Sequence, residues 1–349
     1  MTSKLRSSRT YHDAIGQLNQ LQTGARKVQT ATAVLTPREK ALGWARFLEL
    51  DVRLLNRELG VQKLPVIHVA GTKGKGTTCL YTENIIQTYH RSKESKNNKT
   101  IGCLVSPHIS SVRERIRVNG EPISEACFAS YFWSLWDQMM QRHEAETEMP
   151  GYPGFLTLLA FYIFVQKAVD IAIIETGMGG ETDTTNIIDA PIATGISALG
   201  LDHTARLGNT IQSIAWHKAG IFKRGRPAWS VPQSIEASDV LHARAVEKGT
   251  SVQFVDGGML KNMGVAVKPD VTFQRENAAL ALSLAKTYVS QLDPPGEIDY
   301  SVAQCLETTE MPIKFEILSQ AGWTWVLSSA HNEMSIRPVT QAFVETFRQ

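Results

Sequence analysis

The sequence predicts an α/β protein built on a doubly wound, mainly parallel sheet, and three observations lead there. Short apolar segments of strand length alternate with longer segments of helical periodicity. Such alternation implies parallel βαβ units with helices on both faces of the sheet. Several of the apolar segments stop at glycine-rich or carboxylate-bearing stretches, which is where sheets of this kind bind ligands, beyond the carboxyl ends of their strands.

The elements follow in order. Residues up to about 60 read as helical, most clearly over 36–60, where Thr36 can cap, Pro37 suits the first turn and Gly60 ends the run. Residues 64–70 form an apolar strand, followed by a glycine-rich turn and a helix over 76–89. The polar, basic stretch 90–100 reads as a solvated loop. A strand is expected over 101–105 and a helix over 125–142, with Phe128, Phe132, Leu135 and Met139 on one face. Residues 155–166 read as a buried helix, 169–175 as a strand ending on a carboxylate, 192–198 as a further strand and 211–219 as a helix. Punctuation typical of a linker appears at 292–296, LDPPG. Beyond it stand one strand candidate, 323–327, and a terminal helix, too little by size for an independent domain. The expected division is therefore a main domain over 1–290 and a remnant of a second α/β domain over 305–349.

Composition narrows the partners. The 349 residues allow two domains at about 100–200 residues each. With 43% hydrophobic and 20% charged residues the chain is globular, and a net charge of +2 argues against a broad field for nucleic acid or anionic lipid. Any anion site must be local. Cys79, Cys103, Cys127 and Cys305 are scattered, without the spacing of a metal or disulfide framework, which suits a reducing compartment. The longest apolar run, 155–165, is far shorter than the ~20 residues of a membrane span. Lys4, Arg6 and Arg9 without acids in the first twelve residues are faintly like a mitochondrial presequence, but cytoplasm is the default expectation.

Three stretches carry chemistry. In HVAGTKGKGTT, 68–78, glycines let backbone amides converge on an anion, the next helix adds its N-terminal potential, and Lys75 can neutralise phosphate oxygens. The strict G-x-x-x-x-G-K-[ST] pattern is not met, since Val69 stands at its first glycine and Gly76 separates Lys75 from Thr77. An ordinary glycine-rich turn is the bland alternative. Glu175, at a strand tip, offers the hard oxygen that a nucleotide-bound Mg2+ needs, or merely caps a turn. His203, in GLDHT, could ligate metal or make a simple hydrogen bond. Lys218, by itself, would be a solvated helix lysine.

Taken together, these stretches resemble the folylpolyglutamate synthase branch of the Mur-ligase-like family. The resemblance rests on the glycine-rich loop, on SPHxxxVRERIRxNGxPIS from Ser106 to Ser124, and on FLTxxAF from Phe155 to Phe161. ExGxGGxxDxTN from Glu175 to Asn186, SxLGxDHT and IAWxKAGIFK from Ile214 to Lys223 come next. PAxxVPQ and QxxNAALAL, which ends at Leu282, complete the order. The loop lysine and the VRERIR run look like the eukaryotic branch. What the resemblance implies is a Mur-ligase-like P-loop domain that uses ATP and Mg2+ to add glutamate to folate, in one-carbon metabolism. It further implies that Gly74, Lys75, Gly76 and Thr77 cradle phosphates and that Ser106, Glu175 and His203 ligate magnesium. Lys218 matches a carbamylated lysine, and Asn277 an asparagine near the nucleotide.

The C-terminal part departs from the family pattern. Met311-Pro-Ile-Lys314 stands where WPGR is expected, so Lys314 takes the arginine's place at the nucleotide. Ser328-Ser-Ala-His331 replaces DGAH, without its aspartate, and the chain ends at Gln349, so most of the second domain is expected to be missing. Besides the folate ligase, this leaves a paralogue that amidates another carboxylate and a truncated nucleotide-binding pseudoenzyme as alternatives.

Overall fold

Side chains alternate between the two faces of a strand, and this chain fills both faces with apolar residues, so its central strands must be covered on both sides. The computed structural model describes residues 9–24, 35–50, 64–93, 99–143, 149–310, 312–330 and 332–347. The strands are β1 (Val66–Ala70), β2 (Ile101–Leu104), β3 (Ile116–Val118), β4 (Glu121–Pro122), β5 (Ile171–Glu175), β6 (Ala193–Ile196), β7 (Ala228–Ser230) and β8 (Val252–Phe254). They form one eight-stranded sheet in the order β4-β3-β2-β5-β1-β6-β7-β8. From β2 to β8 all neighbours are parallel, and β3 and β4 add an antiparallel edge. The chain leaves β1 toward β2 on one side and passes from β5 to β6 on the other, so the order reverses at the centre and opens a crevice at the strand tips.

The longer helices are α1 (Tyr11–Gly24), α2 (Pro37–Phe47), α3 (Lys75–Ser92), α4 (Glu125–His143), α5 (Tyr152–Gln166), α6 (Ile211–Lys218), α7 (Ile235–Glu247), α8 (Thr272–Val289) and α9 (Glu333–Phe347). On one face Ile67, Val69, Cys103, Ile171 and Ile173 are buried beneath α3 and α8. On the other, Val66, Leu104, Ala172 and Ile174 join α1, α2, α4 and α5. Residues 155–165 of α5 are all buried, because this helix is an inner layer, with β2 on one side and α1, α2 and α4 on others. That explains an apolar run without a polar stripe. The expected face of α4, Phe128, Phe132, Leu135 and Met139, is buried as a unit. Ala70, Ile196 and Ala228 pack with α6 and α7 in a third cluster.

Several boundaries differ from the sequence reading. Thr36 caps α2 in a reciprocal box with Glu39, and Pro37 opens it, but the helix stops at Phe47; residues 51–63, into which it was expected to run, lie outside the described residues. α3 continues to Ser92, three residues into the expected loop, and residues 94–98 of that loop are also outside. The stretch 292–296 is no extended linker. Gly296 N–H donates back to the Val289 carbonyl, and Ile298, Val302, Ala303 and Leu306 are buried in the same cluster as α3 and α8. The expected strand near 323–327 is β10 (Trp323–Ser328), paired antiparallel with an unforeseen partner, β9 (Lys314–Gln320). Among the described residues no helix is long and apolar enough to cross a membrane.

Candidate active site

Period-2 alternation puts Glu175 on the same face of β5 as Ile171 and Ile173, the face covered by α3. β5 is the neighbour of β1, and Val69 stands opposite Glu175, so the carboxylate lies beside the glycine-rich turn that follows β1. Lys75 opens α3, and its Nζ is 3.8 Å from Glu175 Oε1. A Cβ on Gly76 would meet Glu175 Oε2 at 3.3 Å, so the turn approaches the carboxylate as closely as a glycine backbone permits. Gly74 has φ +89°, and a Cβ there would fall 2.1 Å from Asn277 Oδ1. Both the left-handed backbone and the contact with α8 require glycine at 74. The first amides of α3 have no acceptor within the helix, which leaves them available to an anion at the turn.

Glu175 is almost fully buried. Burial pushes its carboxyl up, while the Lys75 ammonium and the Ser106 amide pull the other way. Ser106 N–H, just past β2 on the other side of β5, donates to Glu175 Oε2 at 2.6 Å. Lys218, on α6, is only 3% exposed, and its Nζ donates to the Gly71 carbonyl at 2.7 Å. It is therefore not the solvated helix lysine of a bland reading. Burial, reinforced by the Lys75 charge, takes its pKa down to about 7. His203 lies past β6 with its backbone left-handed at φ 52° and its side chain exposed. The structure gives its ring no contact with Glu175, and among the described residues no three His, Cys, Asp or Glu side chains converge. A Mg2+ ion that arrives with a triphosphate needs only one or two carboxylates from the protein, so the buried Glu175, held by the amide of the hydroxyl-bearing Ser106, fits that mode.

The C-terminal residues reach the same crevice from across the chain. Lys314 is half-buried at the start of β9, and its Nζ donates to Ser329 Oγ at 3.1 Å. Burial lowers its pKa against the pull of Glu175, with Lys75 and Lys73 adding repulsion, so these charges share one field. Gln274 Nε2 of α8 donates to the Lys314 carbonyl at 3.0 Å. Lys73 Nζ is 3.2 Å from Asp202 Oδ2, which also accepts from Asn332 Nδ2 at 3.3 Å. Met311 and His331 lie outside the described residues.

Sequence reasoning missed one buried network. His68 Nε2 is 2.8 Å from Thr185 Oγ1, whose hydroxyl donates to Asp183 Oδ1 at 2.5 Å. Asp183 Oδ2 accepts the Met178 amide at 2.8 Å, so the network pins the glycine-rich loop after Glu175 to β1. Since the Thr185 hydrogen goes to Asp183, His68 must donate from Nε2, and burial holds it neutral with a pKa of about 3. The signal available was the DTTN stretch, whose polar residues follow a buried strand without any charge partner in sequence.

A glycine turn, a buried strand-tip carboxylate and a group of lysines at the switch point of a parallel sheet define an α/β protein of the phosphate-loop type. No family model matches the chain. It is 39% identical to folylpolyglutamate synthase of Neurospora crassa, over 97% of this chain and 65% of that protein. It is 38% identical to that of Candida albicans, over 95% of this chain and 69% of the relative. The Homo sapiens protein named folylpolyglutamate synthase, mitochondrial, is 36% identical over 98% of this chain and 60% of its own length. The chain thus spans 60–69% of the length of these relatives. Among solved structures, an FPGS-AMPPCP-folate complex superposes with a TM-score of 0.75 at 26% identity, over 97% of this chain and 81% of that one. Folylpolyglutamate synthase of Thermotoga maritima shares the fold, with a TM-score of 0.75 at 24% identity, over 96% and 74%. The chain belongs to the folylpolyglutamate synthase family.

Proposed function

We propose that this chain is an ATP-dependent amide ligase that adds L-glutamate to the γ-carboxylate of a folate glutamate tail. The observation that carries the reading is the juxtaposition of Lys75, Gly76 and the buried Glu175 at the switch point. Support comes also from the family, one solved member of which holds AMPPCP and folate together. In this reading Gly74, Lys75, Gly76 and Thr77 bind the ATP phosphates, with Asn277 and Lys314 beside the nucleotide. Glu175, Ser106 and His203 would hold Mg2+, which supplies charge neutralisation at the phosphate oxygens. Lys218 fits a carbamylated lysine, because a pKa of about 7 leaves much of its amine neutral and able to take up CO2. We assign ATP and folate binding to the unit of residues 1–290, onto whose core residues 298–306 also pack, and 305–349 to part of the second ligase domain.

The chemistry needs such a site because a free carboxylate does not condense with an amine. A γ-carboxylate oxygen attacks the γ-phosphorus of ATP, ADP leaves, and an acyl phosphate forms. The neutral amine of glutamate then attacks the acyl carbon, and phosphate departs as the amine loses a proton. Lys75 and the amides of the turn stabilise the charge that develops during phosphoryl transfer. We place the protein in the cytoplasm; a mitochondrial form is the alternative, since several relatives carry that word in their names. The test is a purified-protein assay with tetrahydrofolate, ATP, Mg2+ and glutamate. Glutamylated folate should accumulate with phosphate release, and a chain that makes neither product refutes the reading.

A further inference from the structure

The VRERIR run contains three arginines, and two of them are committed. Arg117 Nε donates to the buried Glu83 at 3.0 Å. Arg113 donates to the Ile123 carbonyl at 2.9 Å and sits 4.0 Å from Glu125. The acid within the run, Glu114, is occupied by the amides of residues 109–111. Arg115 is different. Its Nε donates to His108 Nδ1 at 2.9 Å, and its guanidinium lies 5.7 Å from the Tyr152 ring centre. The four N–H groups on its two terminal nitrogens meet no hydrogen-bond acceptor or carboxylate among the described residues. A half-buried guanidinium left this way is a fork prepared for an anion.

Position decides which anion. The Arg115 carbonyl accepts from the Val105 amide at 3.0 Å, one residue before Ser106, whose own amide holds Glu175. In the sheet order β2-β5-β1 the tip of β5 stands between these two loops. Glu175 therefore has the phosphate turn and Lys75 on one side and the Arg115 loop on the other. The lysines already serve the phosphate side. What remains opposite is the place of the group that must approach the phosphate, and a planar fork beside an aromatic ring suits a carboxylate on a flat, conjugated substrate.

We propose that Arg115 receives a carboxylate of the folate glutamate tail and so aligns the tail with the phosphate turn. The assignment rests on the folate-ligase reading above, and it adds a specificity-determining residue to it. The test is calorimetric titration of the full 349-residue chain, with Mg2+ and AMPPCP present. The probes are folate and the folate analogue whose two tail carboxylates are amides. The wild type should prefer folate over the diamide by roughly 10- to 100-fold, the worth of charge-assisted hydrogen bonds. Arg115→Gln should lose that preference, and Arg115→Lys should keep only part of it because it lacks the fork. AMPPCP affinity and diamide affinity should stay at wild-type values in both variants. Unchanged folate preference in Arg115→Gln overturns the assignment while leaving the folate reading in place. Equal loss of diamide and AMPPCP affinity also overturns it, because the residue would then be structural. A wild type that binds neither folate nor the diamide overturns the folate reading itself, and this assignment with it.

Discussion

The eight-stranded sheet and the C-terminal hairpin with α9 meet at one crevice, but they are held together by different means. Every central strand of the sheet is covered on both faces, and α5 is buried along its whole apolar length. The hairpin instead leaves Trp323 71% and Trp325 56% exposed, and its buried cluster consists of Val271, Phe315 and Ala342. Apolar burial is the main term that holds elements together, at roughly 25 cal/mol per Å2, so the sheet half is the rigid one. The difference teaches that positions needing sub-ångström stability, the glycine turn and Glu175, are set by the packed half. Lys314 and Asn332 are delivered to the same site by a lightly packed half through a few polar contacts.

The largest test of this contrast is stability. Phe161→Ala, in the middle of α5, should cost about 3–5 kcal/mol, whereas Trp323→Ala should change stability by less than about 0.5 kcal/mol. Denaturant unfolding of both variants measures this, and similar midpoints would break the comparison. Next comes Lys75→Ala, which should lower turnover on the order of 10²- to 10³-fold, as loss of one preorganised charge-stabilising group does. Its melting temperature should stay near wild type, and unchanged turnover would remove Lys75 from the phosphate site.

A smaller effect is expected from Lys218→Met through pH. The folded pKa of Lys218 is about 7 against an ordinary 10.5, so between these values the unfolded chain binds a proton that the folded chain does not. This contribution therefore makes wild-type stability rise with pH across that window. The methionine variant lacks it, so the stability gap, variant minus wild type, should narrow as pH rises from 7 to 10.5 and stay level below 7. A gap independent of pH would mean that the lysine is not desolvated. The smallest change is Asn332→Ala, which removes the hydrogen bond to Asp202 and should cost at most about 1 kcal/mol. Read as nucleotide affinity, that is a few-fold weakening, and a much larger loss would show the C-terminal half to be more tightly docked than its packing implies.

The fold class was legible because its signals are local. Short apolar runs, the Thr36–Pro37 cap and the glycine turn each occupy a few consecutive residues, and each emerged where the pattern placed it. The neighbourhood of Glu175 and Lys75 was legible almost as directly, since two strand ends in a parallel sheet must lie side by side. Strands of three residues such as β7 and β8 were not, because so short a run carries no period of its own and is defined by its ladder partners. Tertiary structure alone decided that Lys218 is desolvated against Gly71, that His68 is locked to Thr185 and that residues 298–306 belong to the main core. It alone also left Arg115 in the field of Glu175 but without an acid in ion-pair contact, while its neighbours found theirs. The Lys218 and His68 contacts join residues more than a hundred positions apart, and burial or a missing partner is a property of the packed chain, which no local stretch of sequence carries.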